Sequence, residues 1–151
     1  MKNYILVFCV LFMSCGVGLA QIDTLDRNMI SMSETYEKPY KVGSVYFQKG
    51  SSEPFTGILF GKYDNGRYLT MQEYVDGIGN GKWVNYYQDG SLKEIGTYIN
   101  NLVEGPISKF YPNGTLKAKG TYKHWKKKVG KWFYYDETGK LSKTIVYSTS
   151  N

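Results

Sequence analysis

Seven lysines fall within the fifteen positions from Lys117 to Lys131: Lys117, Lys119, Lys123, Lys126, Lys127, Lys128 and Lys131. His124 and Trp125 sit in the middle of the run. A cluster this basic could dock on anionic phospholipid, on a polyanionic glycan or on an acidic protein face. Its other reading is a solvated loop whose lysines keep a sheet edge from pairing with other chains. His124 is the one histidine of the chain. As a general base it would need an orienting partner and a pocket, and nothing in its neighbourhood supplies either. Carboxylates offer little more. Glu73 and Glu94 stand at different places in the pattern described below, while Asp64, Asp89 and Asp136 lie at or beside turns, where Asp is favoured for backbone reasons. A glycosidase needs two carboxylates across a cleft. A calcium loop needs an oxygen-rich Asp-x-Asp run, which is absent. The expectation is a non-catalytic protein with no cofactor and no metal site.

The aromatic residues point the same way. Tyr86-Tyr87, Phe110-Tyr111 and Tyr134-Tyr135 are adjacent pairs, so strand alternation sends one of each pair to each face. A stacking platform for sugar or single-stranded nucleic acid could use such rings. Packing within a sheet accounts for most of the pattern, since the columns repeat whatever the ligand. Aromatics at 17%, 17 glycines and 4 prolines fit a β-rich chain with many tight turns, and 21% charged residues argue against disorder.

Residues 1–20 read as a secretory signal peptide: Lys2 gives the positive start, Ile5 to Met13 the apolar run, and Gly18-Leu19-Ala20 the small-x-small site before Gln21. A rival reading makes Cys15 the lipid-bearing residue of a lipoprotein. Cys9 and Cys15 are the two cysteines and both precede the cut, so the processed chain would hold neither a disulfide nor a thiol nucleophile. Export also leaves nucleic acid an improbable partner for a chain of charge +6. Asn113-Gly114-Thr115 matches a glycosylation sequon and is at the same time the expected turn.

Internal repetition places these residues. Gly57, Gly81, Gly105 and Gly130 open four similar segments at spacings of 24, 24 and 25. The extra residue of the last spacing lies between Tyr122 and Gly130. Nine positions after each opening glycine comes Gly66, Gly90, Gly114 or Gly139, preceded by Asn65, Asp89, Asn113 or Thr138. Seventeen positions after it comes Tyr74, Tyr98, Tyr122 or Tyr147. Asn-Gly and Asp-Gly tolerate positive φ and make tight reversals, so each repeat should be one β-hairpin. Thr138-Gly139 is the least suited, because Thr resists positive φ. The second column (Leu59, Trp83, Ile107, Trp132), the eleventh (Tyr68, Leu92, Leu116, Leu141) and the tyrosine column should form one apolar stripe. A lone hairpin is marginal in water, so successive hairpins must bury that stripe against one another.

The expected fold is therefore all-β, an elongated antiparallel β-meander of repeated hairpins with a period of 24. Its parts are a linker over 21–39 with at most one short helix or strand, a capping hairpin over 40–56 turning at Gly50-Ser51-Ser52 with Pro54 at an edge, hairpins over 57–80, 81–104, 105–129 and 130–147, and a loose tail over 148–151.

GKWVNYYQDG and GKWFYYDETG carry a Gly-x-Trp-x-x-Tyr-Tyr-x-x-Gly pattern that resembles the MORN-variant repeats. Residues 45–66, with Pro54-Phe55-Thr56-Gly57 before the first repeat, resemble the opening of the YwqK-like antitoxin family. The resemblance implies a protein that binds and neutralises a toxin, here one acting in the cell envelope. For the wider MORN group it implies scaffolding or proximity to membranes. The expected partner is thus another protein, with attachment to anionic lipid or envelope glycan through the lysine cluster as the alternative.

Overall fold

The computed structural model describes residues 22–149. The signal peptide expected over residues 1–20, with Cys9 and Cys15, lies outside the described residues. The described strands are β1 (Met29–Ser31), β2 (Thr35–Pro39), β3 (Ser44–Gln48), β4 (Gly57–Lys62), β5 (Tyr68–Val75), β6 (Ile78–Tyr86), β7 (Leu92–Ile99), β8 (Leu102–Phe110), β9 (Leu116–Lys123), β10 (Lys127–Tyr135) and β11 (Leu141–Tyr147), with a 3-10 turn over Met32–Glu34. Nine of them form one sheet in the order β1-β4-β5-β6-β7-β8-β9-β10-β11, and β2 with β3 makes a separate ribbon. From β4 onward each strand pairs antiparallel with its successor, so the all-β meander of hairpins is the observed architecture.

Each hairpin tip follows one plan. Gly66, Gly90 and Gly114 donate to the carbonyls of Tyr63, Tyr87 and Tyr111, and Gly139 to that of Asp136, at 2.9–3.0 Å. These are type I turns closed by a glycine at positive φ, from 82° to 87°. The preceding Asn65, Asp89, Asn113 and Thr138 are not in the left-handed region. Thr138 is therefore not strained, contrary to the expectation from its sequence. Asn65, Asp89 and Asn113 instead accept the backbone N–H two residues on. In the fourth tip Asp136 takes over, its Oδ1 accepting from the backbone N–H groups of Thr138 and Lys140.

Successive hairpins are joined by Asp76-Gly77 and Asn100-Asn101, two-residue links with all four φ positive. The third link absorbs the extra residue: His124, Trp125 and Lys126 have φ of 47°, 62° and 61°.

The apolar columns divide between two faces. Trp83, Val103, Ile107, Tyr122 and Trp132 form a buried cluster with Tyr98, Tyr134 and Tyr147 against it. Leu59, Phe55 and Tyr74 continue this face at the first hairpin. Leu92 lies on the opposite face, with Ile58, Met71, Val84 and Ile95. One stripe containing all three columns is thus corrected to two. The cause is a β-bulge in each hairpin. Asn85 pairs with Glu94 but Tyr86 with Leu92, so Lys93 is unopposed and the side-chain alternation inverts before the eleventh column. Lys117 is the corresponding unopposed residue between Leu116 and Ala118.

The N-terminal segment also departs from expectation. Residues 21–39, expected to be a linker with one short helix or strand at most, hold two strands: β1 pairs parallel with β4 and β2 antiparallel with β3, and Ile22 is buried beside Ile58, Met71 and Val84. The capping hairpin pairs 35–39 with 44–48, and its turn falls at 40–43 rather than at Gly50-Ser51-Ser52. Pro54 makes an isolated bridge with Phe47. Asn101 holds this ribbon to the sheet: its Nδ2 donates to the carbonyls of Val42 at 2.8 Å and Ser44 at 3.0 Å, and its Oδ1 accepts from Gly79 N at 2.7 Å.

Candidate functional site

Strand register sorts the lysine cluster. Lys119 stands opposite Phe133 and Lys123 opposite Lys127 on the β9–β10 pair, so these four side chains share one face. Lys131 lies two residues before Phe133 and joins them, opposite Val146 of β11. Lys119, Lys123, Lys127, Lys131 and Val146 are exposed there, the last at 70%. Over β4 to β7 the same face is covered by Ile22 and Met29. The open part of this face is therefore both cationic and apolar. Glu104 is the nearby carboxylate on that side, and its Oε1 accepts the backbone N–H of His124 at 3.0 Å. Lys119 places its ammonium 5.5 Å from the Phe133 ring, and Lys117, at the bulge, lies 5.0 Å from that of Tyr111.

The remaining cluster members go elsewhere. His124, Trp125 and Lys126 form the left-handed link, where Trp125 is 54% exposed. Lys126 reaches the opposite face and lines a cleft of about 120 Å³ with Trp83, Asn85, Glu94, Tyr98, Val103, Lys109 and Tyr122. Glu94 is its carboxylate. Asn85 Nδ2 donates to Glu94 Oε1 at 3.0 Å, and Lys109 Nζ lies 3.2 Å from Oε2. Burial pushes the Glu94 carboxyl up, but the Asn85 hydrogen bond and the Lys109 charge outweigh it and hold the group below its usual range. An anion fixed in this way is poorly disposed to donate a proton. Among the described residues no three His, Cys, Asp or Glu side chains are grouped to hold a metal ion.

Lys128 points away from Lys127, into the aromatic cluster. Its Nζ lies 4.6 Å from the Trp132 ring centroid and 5.4 Å from those of Tyr134 and Tyr147. It also donates to the Tyr134 hydroxyl at 3.0 Å, and that hydroxyl is 3.2 Å from the hydroxyl of Tyr147. The Tyr134 hydrogen bond raises the Lys128 pKa above its ordinary value. Burial acts against ionisation of Tyr134, but its hydrogen bonds to Lys128 and Tyr147 prevail and lower its pKa.

The tryptophans of the repeat pattern are packing residues: Trp83 is 5% and Trp132 1% exposed. Each lies across a glycine that leaves room for the indole. A Cβ on Gly96 would meet Trp83 Cζ2 at 2.6 Å, and one on Gly120 would collide with the Trp132 ring. Trp132 Nε1 donates to Thr121 O at 3.2 Å, whereas Trp83 Nε1 is buried with no such partner.

The opening glycines mark bulges between hairpins. Gly81, Gly105 and Gly130 have φ of 125°, 85° and 63°, where the pairing of neighbouring hairpins shifts register. A further column escaped notice in the sequence. The hydroxyls of Tyr63, Tyr87 and Tyr111 donate to the carbonyls of Tyr86, Phe110 and Tyr135 at 2.9–3.0 Å, tying each tip to the next hairpin. Their recurrence six positions after Gly57, Gly81 and Gly105 was the available signal.

Among the described residues no helix is long and apolar enough to cross a membrane. No curated protein matches the chain. Of solved structures, one titled "Crystal Structure of TarM" is similar at a TM-score of 0.36 and 17% identity over 76% of this chain, which spans 20% of that chain. Residues 80–100, 103–124 and 128–148 match the family described as MORN repeat variant. These segments coincide with the hairpins β6–β7, β8–β9 and β10–β11, so over these three repeats the chain is similar to the MORN repeat variant.

Proposed function

We propose that this chain is an exported, non-catalytic protein-binding module that docks through the open face of β9, β10 and β11. The observation that carries the reading is the register that gathers Lys119, Lys123, Lys127 and Lys131 around Phe133 and beside exposed Val146. An apolar centre with a charged surround is a common plan for recognition surfaces. Its charge fits an acidic protein face. A toxin held in an immunity-like complex is one such partner, in keeping with the resemblance to the YwqK-like antitoxins. The second reading is attachment to anionic lipid or envelope glycan through the same lysines, favoured by their density.

The test is capture from envelope extract by the 21–151 chain at low and high salt. The variants are Val146→Glu and the triple Lys119→Gln, Lys123→Gln, Lys131→Gln. A single protein that survives high salt with the parent and is lost with Val146→Glu supports the protein-binding reading. Lipid or glycan captured at low salt alone, and lost with the triple variant, replaces it with surface attachment. Trp83 and Trp132 are unsuitable probes, since their rings hold the sheet together.

A further inference from the structure

The aromatic cluster around Lys128 has the construction of a cation-binding cage. Three rings surround the ammonium at 4.6–5.4 Å, and the Tyr134 hydroxyl accepts one of its N–H groups. Ring faces attract a cation through their quadrupole, and Trp is the stronger of the two types present. No carboxylate lies among the groups that these contacts bring to Lys128 Nζ. Lys128 takes the position, two before the opening glycine, that Val103 fills in the preceding hairpin beside buried Trp83 and Ile107. An apolar side chain there would close the cluster against water. A lysine keeps it filled with a charge whose side chain is only partly buried, so the cage has a route to solvent.

We propose that Trp132, Tyr134 and Tyr147 form a binding site for a primary alkylammonium group, kept filled by the chain's own Lys128 until an outside amine displaces it. The ring faces supply attraction for any ammonium ion, and the Tyr134 hydroxyl adds a hydrogen bond that only an N–H donor can use. Lys128 is thus an internal competitor: it raises the apparent dissociation constant in inverse proportion to the fraction of time it leaves the cage empty. Lys143 Nζ, 5.1 Å from the Tyr134 ring, is a second cation on that ring and stays in place in every variant below. The site lies on the opposite side of the sheet from Lys119, Lys123 and Lys131, so it is independent of the proposed protein-binding surface.

The experiment follows the Trp132 indole N–H resonance of the 21–151 chain during titration with n-butylammonium chloride at constant ionic strength. Sodium chloride serves as the blank and tetramethylammonium chloride as the cation without an N–H. The expected result is a saturable shift for the parent with n-butylammonium, stronger than with tetramethylammonium. Lys128→Ala should tighten it by about tenfold, as for a competitor present about nine-tenths of the time. Tyr134→Phe should reduce the preference for the primary amine. If Lys128→Ala disturbs the fold, Lys128→Thr, short enough to leave the cage open and suited to a strand, takes its place. Saturable binding by the Lys128 variant but not by the parent overturns the proposal, since the lysine is then a permanent filler. Binding by neither overturns it as well.

Discussion

Gly96 and Gly120 show how a single missing methyl decides the packing of this sheet. Trp83 and Trp132 lie where their Cβ atoms would be, and the indoles thereby become core rather than contact surface. Gly120→Ala is expected to destabilise the protein by about 1–3 kcal/mol through overpacking. Trp132→Ala should cost more, about 3–5 kcal/mol, both read from urea denaturation. The fourth turn offers a second contrast. Thr138 has no left-handed strain to relieve, so Thr138→Asn should stay within about 0.5 kcal/mol of the parent. Asp136→Ala removes the carboxylate that accepts from both Thr138 and Lys140, and should be the more harmful change. Asp136 and Asp89 are held below the usual carboxylate range, chiefly by hydrogen bonds from Thr138 and Ser91. A depressed folded-state pKa contributes stability above the unfolded value, near 4, that is lost as the pH falls through the folded value. The denaturation midpoint should thus fall below about pH 4, and less steeply in Asp136→Ala.

At the scale of elements, the repeats are joined by more than their strand pairing. Each tip tyrosine donates across to the next hairpin, and Tyr87→Phe or Tyr111→Phe should cost about 1 kcal/mol. Asn101→Ala should be worse, because it releases two carbonyls of the N-terminal ribbon and the Gly79 amide together. That ribbon also sets the alkaline limit. Tyr46 and Tyr74 meet edge to face at 5.1 Å. Burial, with the hydrogen bond and charge of Glu37, pushes Tyr46 up to about 12, and burial raises Tyr74 further still. A raised folded-state pKa means stability fully present below the unfolded value near 10 and lost as pH climbs through the folded one. Circular dichroism should show destabilisation setting in above about pH 10, with a shallower slope in Tyr74→Phe. The hairpins were legible in the sequence because glycine at a fixed offset has a backbone cause. The face of the eleventh column was not, because the bulge at Lys93 and Lys117 leaves no residue-type signature and inverts the alternation beyond it. The place of residues 22–39 was equally hidden: three residues of β1 carry no period, and their anchor, Ile22, lies seven positions upstream.

For the whole molecule, the sheet from β4 to β11 is an array in which each strand contacts its sequence neighbours. Stability in such arrays is close to a sum of unit and interface contributions. Amide exchange should be slowest in β6 to β8, flanked on both sides, and fastest in β11, which is bonded on one side among the described strands. The lysine face was visible in the sequence only as a cluster; register was needed to separate Lys119, Lys123, Lys127 and Lys131 from Lys128. The left-handed link His124-Trp125-Lys126 bears on what lengths the array can have. An odd residue placed within β10 would turn over everything after it, presenting Trp132 to solvent and driving Lys131 into the aromatic cluster. Placed in the link, the same residue leaves every later side chain where the other hairpins put theirs. Beyond the one bulge each hairpin already carries, growth and shrinkage of such a chain are therefore even-numbered within strands and unrestricted at the links and tips, and a relative with an odd-length insertion should carry it at one of those places.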